Sequence, residues 1–137
     1  MVAYNFVAVL APQIEARTKT QTVRANRRRH ARPGEPVQLY TGMRTRSCRK
    51  LIAPDPICRC VRPITIDVTD LIAAGIAAIA IGGDFLTFDE IEQFARADGF
   101  APEFWGGTDA RENMGAFWRR FHGNGRFEGV LIEWGTE

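Results

Sequence analysis

Up to residue 86 the apolar residues come in short runs cut by proline and glycine, and a sustained helical period begins only beyond that point. This pattern excludes a helical bundle and an alternating β-α-β-α order, because both need repeated amphipathic helices between strands. Val2–Phe6 reads as a first strand. Leu10, Ala11 and Ile14, with Pro12 near a first turn, read as a short helix running to about Arg17. Residues 19–26, rich in threonine and valine, read as a strand. Pro33-Gly34-Glu35-Pro36 and Pro54-Asp55-Pro56 read as turns, with a strand over residues 36–43 between them and residues 44–52 continuing it or pairing with it.

From Ile57 to Val68 the apolar residues alternate, but their parity changes. Ile57 and Val61 share one face, while Ile64, Ile66 and Val68 take the other, so a break or bulge is expected at Pro63. Residues 75–83 read as a buried strand with Ile79 and Ile81 on one face. Two longer helices follow. Thr87 with Glu90 is a capping box opening a helix that ends at Gly99. Asp109 caps a second helix over residues 110–122, whose Met114, Phe117, Trp118 and Phe121 form a stripe at i, i+3, i+4 and i+7. Gly123-Asn124-Gly125 turns into a last strand. The expectation is one α+β domain over residues 1–137, a small β-barrel flanked by helices.

Charge is segregated along the chain. Residues 1–62 hold 13 basic side chains against three acids, Glu15, Glu35 and Asp55, whereas residues 63–137 hold 5 against 13. All the basic residues except Lys19 and Lys50 are arginines, whose planar fork suits phosphates and stacks on bases. Arg27-Arg28-Arg29-His30-Ala31-Arg32 reads as an exposed loop able to gather phosphates. The competing reading is a mixed-charge surface whose halves neutralise one another. Cys48, Cys58 and Cys60 fit no zinc spacing and read as reduced structural thiols. The N-terminus lacks the basic stretch of a signal peptide, and the longest apolar stretch, residues 71–83, is far short of the roughly 20 residues a bilayer requires. A cytoplasmic location follows by default. No phosphate-binding loop, dinucleotide fingerprint, metal site or cofactor motif is present.

Arg17-Thr18-Lys19-Thr20-Gln21-Thr22-Val23-Arg24 resembles the ASCH family signature, G-x-K-x-x-T-x-R, keeping Lys19, Thr22 and Arg24 and placing Arg17 at the glycine. Pro33-Gly34-Glu35, the segment Gln38 to Arg44, Cys48-Arg49-Lys50, Phe94 to Phe100, Phe117-Trp118 and His122-Gly123 are similar to segments of small ASCH proteins, phage-associated ones included. The resemblance spans nearly the whole chain. It implies a PUA-like barrel with a cleft for RNA beside the signature. It also implies, for some short members, an amidohydrolase acting on N4-acetylcytidine through the signature lysine and threonine with a later acid; others are described as ribonucleases. Carried over residue by residue, these are Lys19, Thr22 and Asp98, the last an aspartate where the family has glutamate.

On its own chemistry, Thr22 supplies a hydroxyl nucleophile and Lys19 accepts its proton if desolvation or a neighbouring cation such as Arg24 lowers its pKa. Asp98 then orients Lys19 or activates water. In an unbroken strand Thr20, Thr22 and Arg24 share a face and Lys19 takes the other, so Lys19 joins Thr22 only from a turn or bulge. The plain alternative is a strand of threonines whose lysine and arginine are solvated or paired. Arg24, Arg27, Arg28, Arg29, Arg32, Tyr40 and Arg44 are the nucleic-acid-binding candidates, with Tyr40, Arg44, Trp105 and Trp118 as stacking surfaces. Trp118 lies in the apolar stripe and reads first as core; His122, at a helix end, reads as structural. The expected partner is RNA or a modified nucleoside, with single-stranded DNA as an alternative polyanion. A protein-interaction or phage accessory role is the alternative from another class. Oligomeric state is not legible.

Overall fold

A computed structural model describes residues 2–135. Strands and helices are segregated, giving the α+β class. In chain order the elements are β1 (Val2–Phe6), α1 (Ala11–Glu15), β2 (Gln21–Ala25), β3 (Val37–Thr41), β4 (Arg49–Lys50), β5 (Cys58–Val68), β6 (Ile76–Ile81), β7 (Asp84–Phe85), α2 (Phe88–Ala95), a π-turn (Arg96–Phe100), α3 (Pro102–Trp105), α4 (Ala110–His122) and β8 (Gly125–Trp134). The strands form a three-stranded sheet, β1-β3-β4, and a five-stranded one, β2-β8-β5-β6-β7. Neither sheet closes on itself among the described residues: β1 and β4 end one ladder, β2 and β7 the other. Contacts group the chain into two compact units. Unit 1 is the described part of residues 1–22, 27–61 and 132–137; unit 2 is residues 23–26 and 62–131.

In unit 1, β1 runs parallel to β3 in register from Val2 opposite Val37 to Phe6 opposite Thr41. Alternation buries Val2, Tyr4 and Phe6 on one strand and Val37 and Leu39 on the other. The start of β3 meets the start of β5 at a bridge between Pro36 and Ile57, where the Val37 N–H donates to the Pro56 carbonyl and the Cys58 N–H to that of Glu35.

In unit 2, cross-strand pairs Ile64–Ile81 and Ile66–Ile79 line one face of the β5–β6 ladder. Onto them pack Ile91, Phe94, Ala110, Met114 and Trp118 from α2 and α4. Thr87 and Glu90 form the expected capping box, and Asp109 accepts from the Glu112 N–H at 2.8 Å. Glu92 accepts from the Ala110 and Arg111 N–H groups at 3.0 and 2.9 Å, so the donors opening α4 are satisfied within the fold. α4 approaches the chain before β6 closely at Gly115, where a Cβ would lie 2.9 Å from the Gly75 Cα.

Two sequence expectations need correction. β5 is unbroken through Pro63, and its register shift with β6 falls between Asp67 and Val68. Cys58 is buried while Ile57 is exposed, so Cys58 shares the inward parity of Ile64, Ile66 and Val68, although Arg62 between them is exposed. Pro63 is tolerated because its carbonyl, accepting from the Gly82 N–H at 2.8 Å, faces the turn just past the β6 ladder, where no N–H is required of it. On α4 the buried stripe is Ala110, Met114 and Trp118; Phe121 is 54% exposed, one turn beyond the core.

Candidate functional site

The signature segment is positioned by the end of α1. The Arg17 N–H donates to the Ile14 carbonyl and the Thr18 N–H to that of Gln13, both at 3.0 Å, which is the hydrogen-bond pair of a Schellman cap. Arg17 occupies the left-handed position of that cap, with φ 64°. Glycine is the residue this position favours, and it is the position of the glycine in the signature that the segment resembles. The Lys19 N–H also donates to the Gln13 carbonyl, at 3.1 Å, so Lys19 lies in the turn between α1 and β2. The geometric condition for Lys19 to leave the strand alternation is therefore met.

Lys19 is 2% exposed and Thr22 5%, with the Lys19 Nζ 5.9 Å from the centre of the Phe6 ring. Gln13 and Gln21 are buried in the same stretch. Among the described residues, four of the six buried polar or charged ones thus fall between residues 13 and 22. Burial of polar groups is costly without partners, and no buried side-chain nitrogen or oxygen lacks one among the described residues. Sequence reasoning did not single out Gln13 and Gln21, since a glutamine in a short helix or a strand carries no sign of burial. Asp98 is also buried, on the π-turn in unit 2, and Arg24 is half-buried in the part of β2 assigned to unit 2. Lys19, Thr22, Tyr40, Arg44 and the loop arginines belong to unit 1.

The four arginines of the β2–β3 loop divide into two kinds. Arg27, though exposed, bonds back onto the chain: its guanidinium donates to the Arg29 and Ala3 carbonyls at 2.8 and 3.3 Å and lies over the Tyr4 ring at 4.8 Å. Arg29 forks onto Glu35, one bond at 3.0 Å, and also reaches the His30 carbonyl at 2.6 Å. Glu35 in turn accepts from the Arg32 N–H at 2.6 Å. The Arg29 fork, with that N–H, lowers the Glu35 pKa to about 2. The Tyr4 hydroxyl, buried, accepts from the Ala31 N–H at 3.1 Å and lies 3.0 Å from His30 Nδ1. These bonds hold the loop against β1 and leave Arg28 and Arg32 exposed with no ion pair among the described residues.

A second loop, between β3 and β4, docks on the same strand through the Met43 N–H, which donates to Asn5 Oδ1 at 2.9 Å. Asn5 is two residues from Ala3 on β1, a rise of roughly 7 Å. Arg44 is exposed at φ 66°, and neither it nor Arg46 makes an ion pair among the described residues. Half-buried Tyr40 has the Lys50 ammonium 5.8 Å from its ring centre. Meanwhile each acid of residues 1–62 is already engaged: Glu15 by Arg49 at 2.6 Å, Asp55 by Lys50 at 2.8 Å and Glu35 by Arg29. The Arg49 guanidinium holds the Glu15 carboxyl below its usual range, and Asp55 raises the Lys50 ammonium.

The tryptophans proposed as stacking platforms are used inside unit 2. Trp118 is buried against Phe127, and Trp105 donates its indole N–H to the Gly99 carbonyl at 2.6 Å while packing on Phe100. His122 stacks on Trp118 at 4.3 Å, and burial pushes its imidazole below the usual value, opposing the cation that a helix C-terminus favours. Cys48, Cys58 and Cys60 are free thiols, and burial pushes that of Cys58 up. Among the described residues no group of three or more histidine, cysteine, aspartate or glutamate side chains is placed to hold a metal, and no helix is long and apolar enough to cross a membrane. Comparison with protein-family models, with curated proteins and with solved structures finds no match.

Proposed function

We propose that this chain is an RNA- or nucleoside-binding domain of the ASCH family, with phosphate contacts from Arg28, Arg32 and Arg44. The observation that carries this reading is the surplus of guanidinium groups in unit 1. Glu15, Glu35 and Asp55 are already bonded elsewhere, so those three arginines present their forks to solvent with no ion pair among the described residues. The family reading gains support from Arg17, whose left-handed backbone coincides with the signature glycine. Half-buried Tyr40 offers a ring for an unpaired base.

The test is fluorescence anisotropy with a short single-stranded RNA at several salt concentrations. Binding should weaken steeply with salt, and Arg28→Ala or Arg32→Ala should each lower the salt slope by about 1. Absence of binding to RNA, single-stranded DNA or nucleosides at low salt rules the reading out.

A second reading, hydrolysis of an acylated cytidine, is favoured by the burial of Lys19 and Thr22 together with the position of Lys19 in the turn. In its neutral form a lysine amine serves as the base for a threonine hydroxyl. Release of cytidine from N4-acetylcytidine, abolished by Lys19→Ala and by Thr22→Ala in folded protein, is the expected result. Full activity in both variants removes these residues from the chemistry.

A further inference from the structure

Unit 2 exposes two aromatic rings within a short acidic segment. Phe85, on the two-residue edge strand β7, is 67% exposed, and Phe88, opening α2, is 74% exposed. Asp84 and Asp89 flank them, also exposed and without a cationic partner among the described residues. Exposed aromatic side chains rimmed by charge mark interaction surfaces. Phe88 already carries one guanidinium, that of Arg111, 4.9 Å from its ring centre. Arg111 is held by bonds to the Ile76 carbonyl at 3.0 and 2.6 Å. Ring faces and carboxylate forks both suit arginine, which stacks and forks at once.

This chain supplies that chemistry itself. Arg28 and Arg32 are exposed on a loop bonded together by Arg27, Arg29 and Glu35. Charge is complementary as well, with 13 basic residues against three acids before residue 63 and 13 acids against 5 basic residues after it. We infer that the Asp84–Phe85–Phe88–Asp89 surface binds the Arg28–Arg32 loop of a second copy of this chain. The contact joins different surfaces on the two copies, so it closes as a two-fold dimer where both loops engage at once and extends head to tail where they do not. It requires no nucleic acid, so it stands or falls separately from the RNA reading.

Sedimentation velocity on the full chain tests it, over a range of protein concentrations at about 50 mM and about 500 mM NaCl. The expected result is a mass that grows with concentration at low salt and returns to monomer at high salt. Phe85→Ser with Phe88→Ser should abolish the growth, as should Arg28→Glu with Arg32→Glu. Should loss of the Phe88 ring over Arg111 disturb the fold, the charge variants carry the test alone. An Asp84→Arg, Asp89→Arg protein and the Arg28→Glu, Arg32→Glu protein should each be monomeric alone and should associate when mixed. The inference is overturned by a wild type that stays monomeric throughout, by a mixture that fails to associate, or by a polyarginine peptide binding the patch of a chain that does not self-associate.

Discussion

Arg17 and Arg44 are the two non-glycine residues with left-handed backbone among the described residues. An L-residue there is disfavoured by about 1–2 kcal/mol, partly offset in a comparison with glycine by the flexibility glycine adds to the unfolded chain. Arg17→Gly should therefore stabilise the protein by about 0.5–1 kcal/mol, read as a Tm rise of roughly 2–4 °C. Arg44→Gly relieves the same backbone cost but removes an exposed guanidinium. Its Tm should rise while RNA affinity falls, a divergence that a merely structural Arg44 would not produce. Glu35 adds a pH dependence. Its carboxyl, lowered to about 2 by the Arg29 fork and the Arg32 N–H, stabilises the loop fully above the usual glutamate value, and that contribution disappears as pH falls through about 2. A carbon NMR titration of the Glu35 carboxyl should have its midpoint near 2; a midpoint near 4 would mean that the fork does not hold in solution.

The helices were the most legible elements, because their signals are local. Thr87 and Asp109 each cap by accepting the N–H three residues on, and Thr87→Ala or Asp109→Ala should cost about 1 kcal/mol in chemical denaturation. Gly115→Ala should cost more, about 1–3 kcal/mol, because its Cβ would meet backbone at Ala74 and Gly75 instead of a side chain that can swing away. Strand faces were harder to read. Counting Ile57 and Val61 as inward placed a break at Pro63, whereas the small thiol of Cys58 is the group that fills the interior. Phe121 extends the helical period of Met114 and Phe117 but lies past the end of the core, and no periodicity shows where a neighbouring element stops. Sheet pairing was not legible for the same reason, since pairing such as β2 beside β8 is decided by contacts far apart in the chain. In the candidate site, the turn position of Lys19 could be framed from the sequence only as a condition, and the burial of Gln13 and Gln21 left no trace there. The intramolecular bonding of Arg27 and Arg29 was equally hidden, because a run of arginines looks uniform until the carbonyls and carboxylate that divide it are placed.

At the scale of the whole molecule, the basic first half of the chain gives the Arg28–Arg32 loop two competing uses. Phosphates and the carboxylates of a second copy want the same guanidinium forks, and both attractions are screened by salt. A single-stranded RNA has the denser charge and releases counterions on binding, so it should win when present in excess. Titrating RNA into self-associated protein at low salt should convert it to monomers carrying RNA, seen as a fall in sedimentation coefficient for protein that remains RNA-bound. Asp84→Arg with Asp89→Arg should remove self-association and leave the affinity for RNA unchanged or higher, whereas Arg28→Glu with Arg32→Glu should remove both. Growth of larger particles on adding RNA would show instead that the nucleic acid bridges copies, and that its phosphates and the acidic segment engage different arginines.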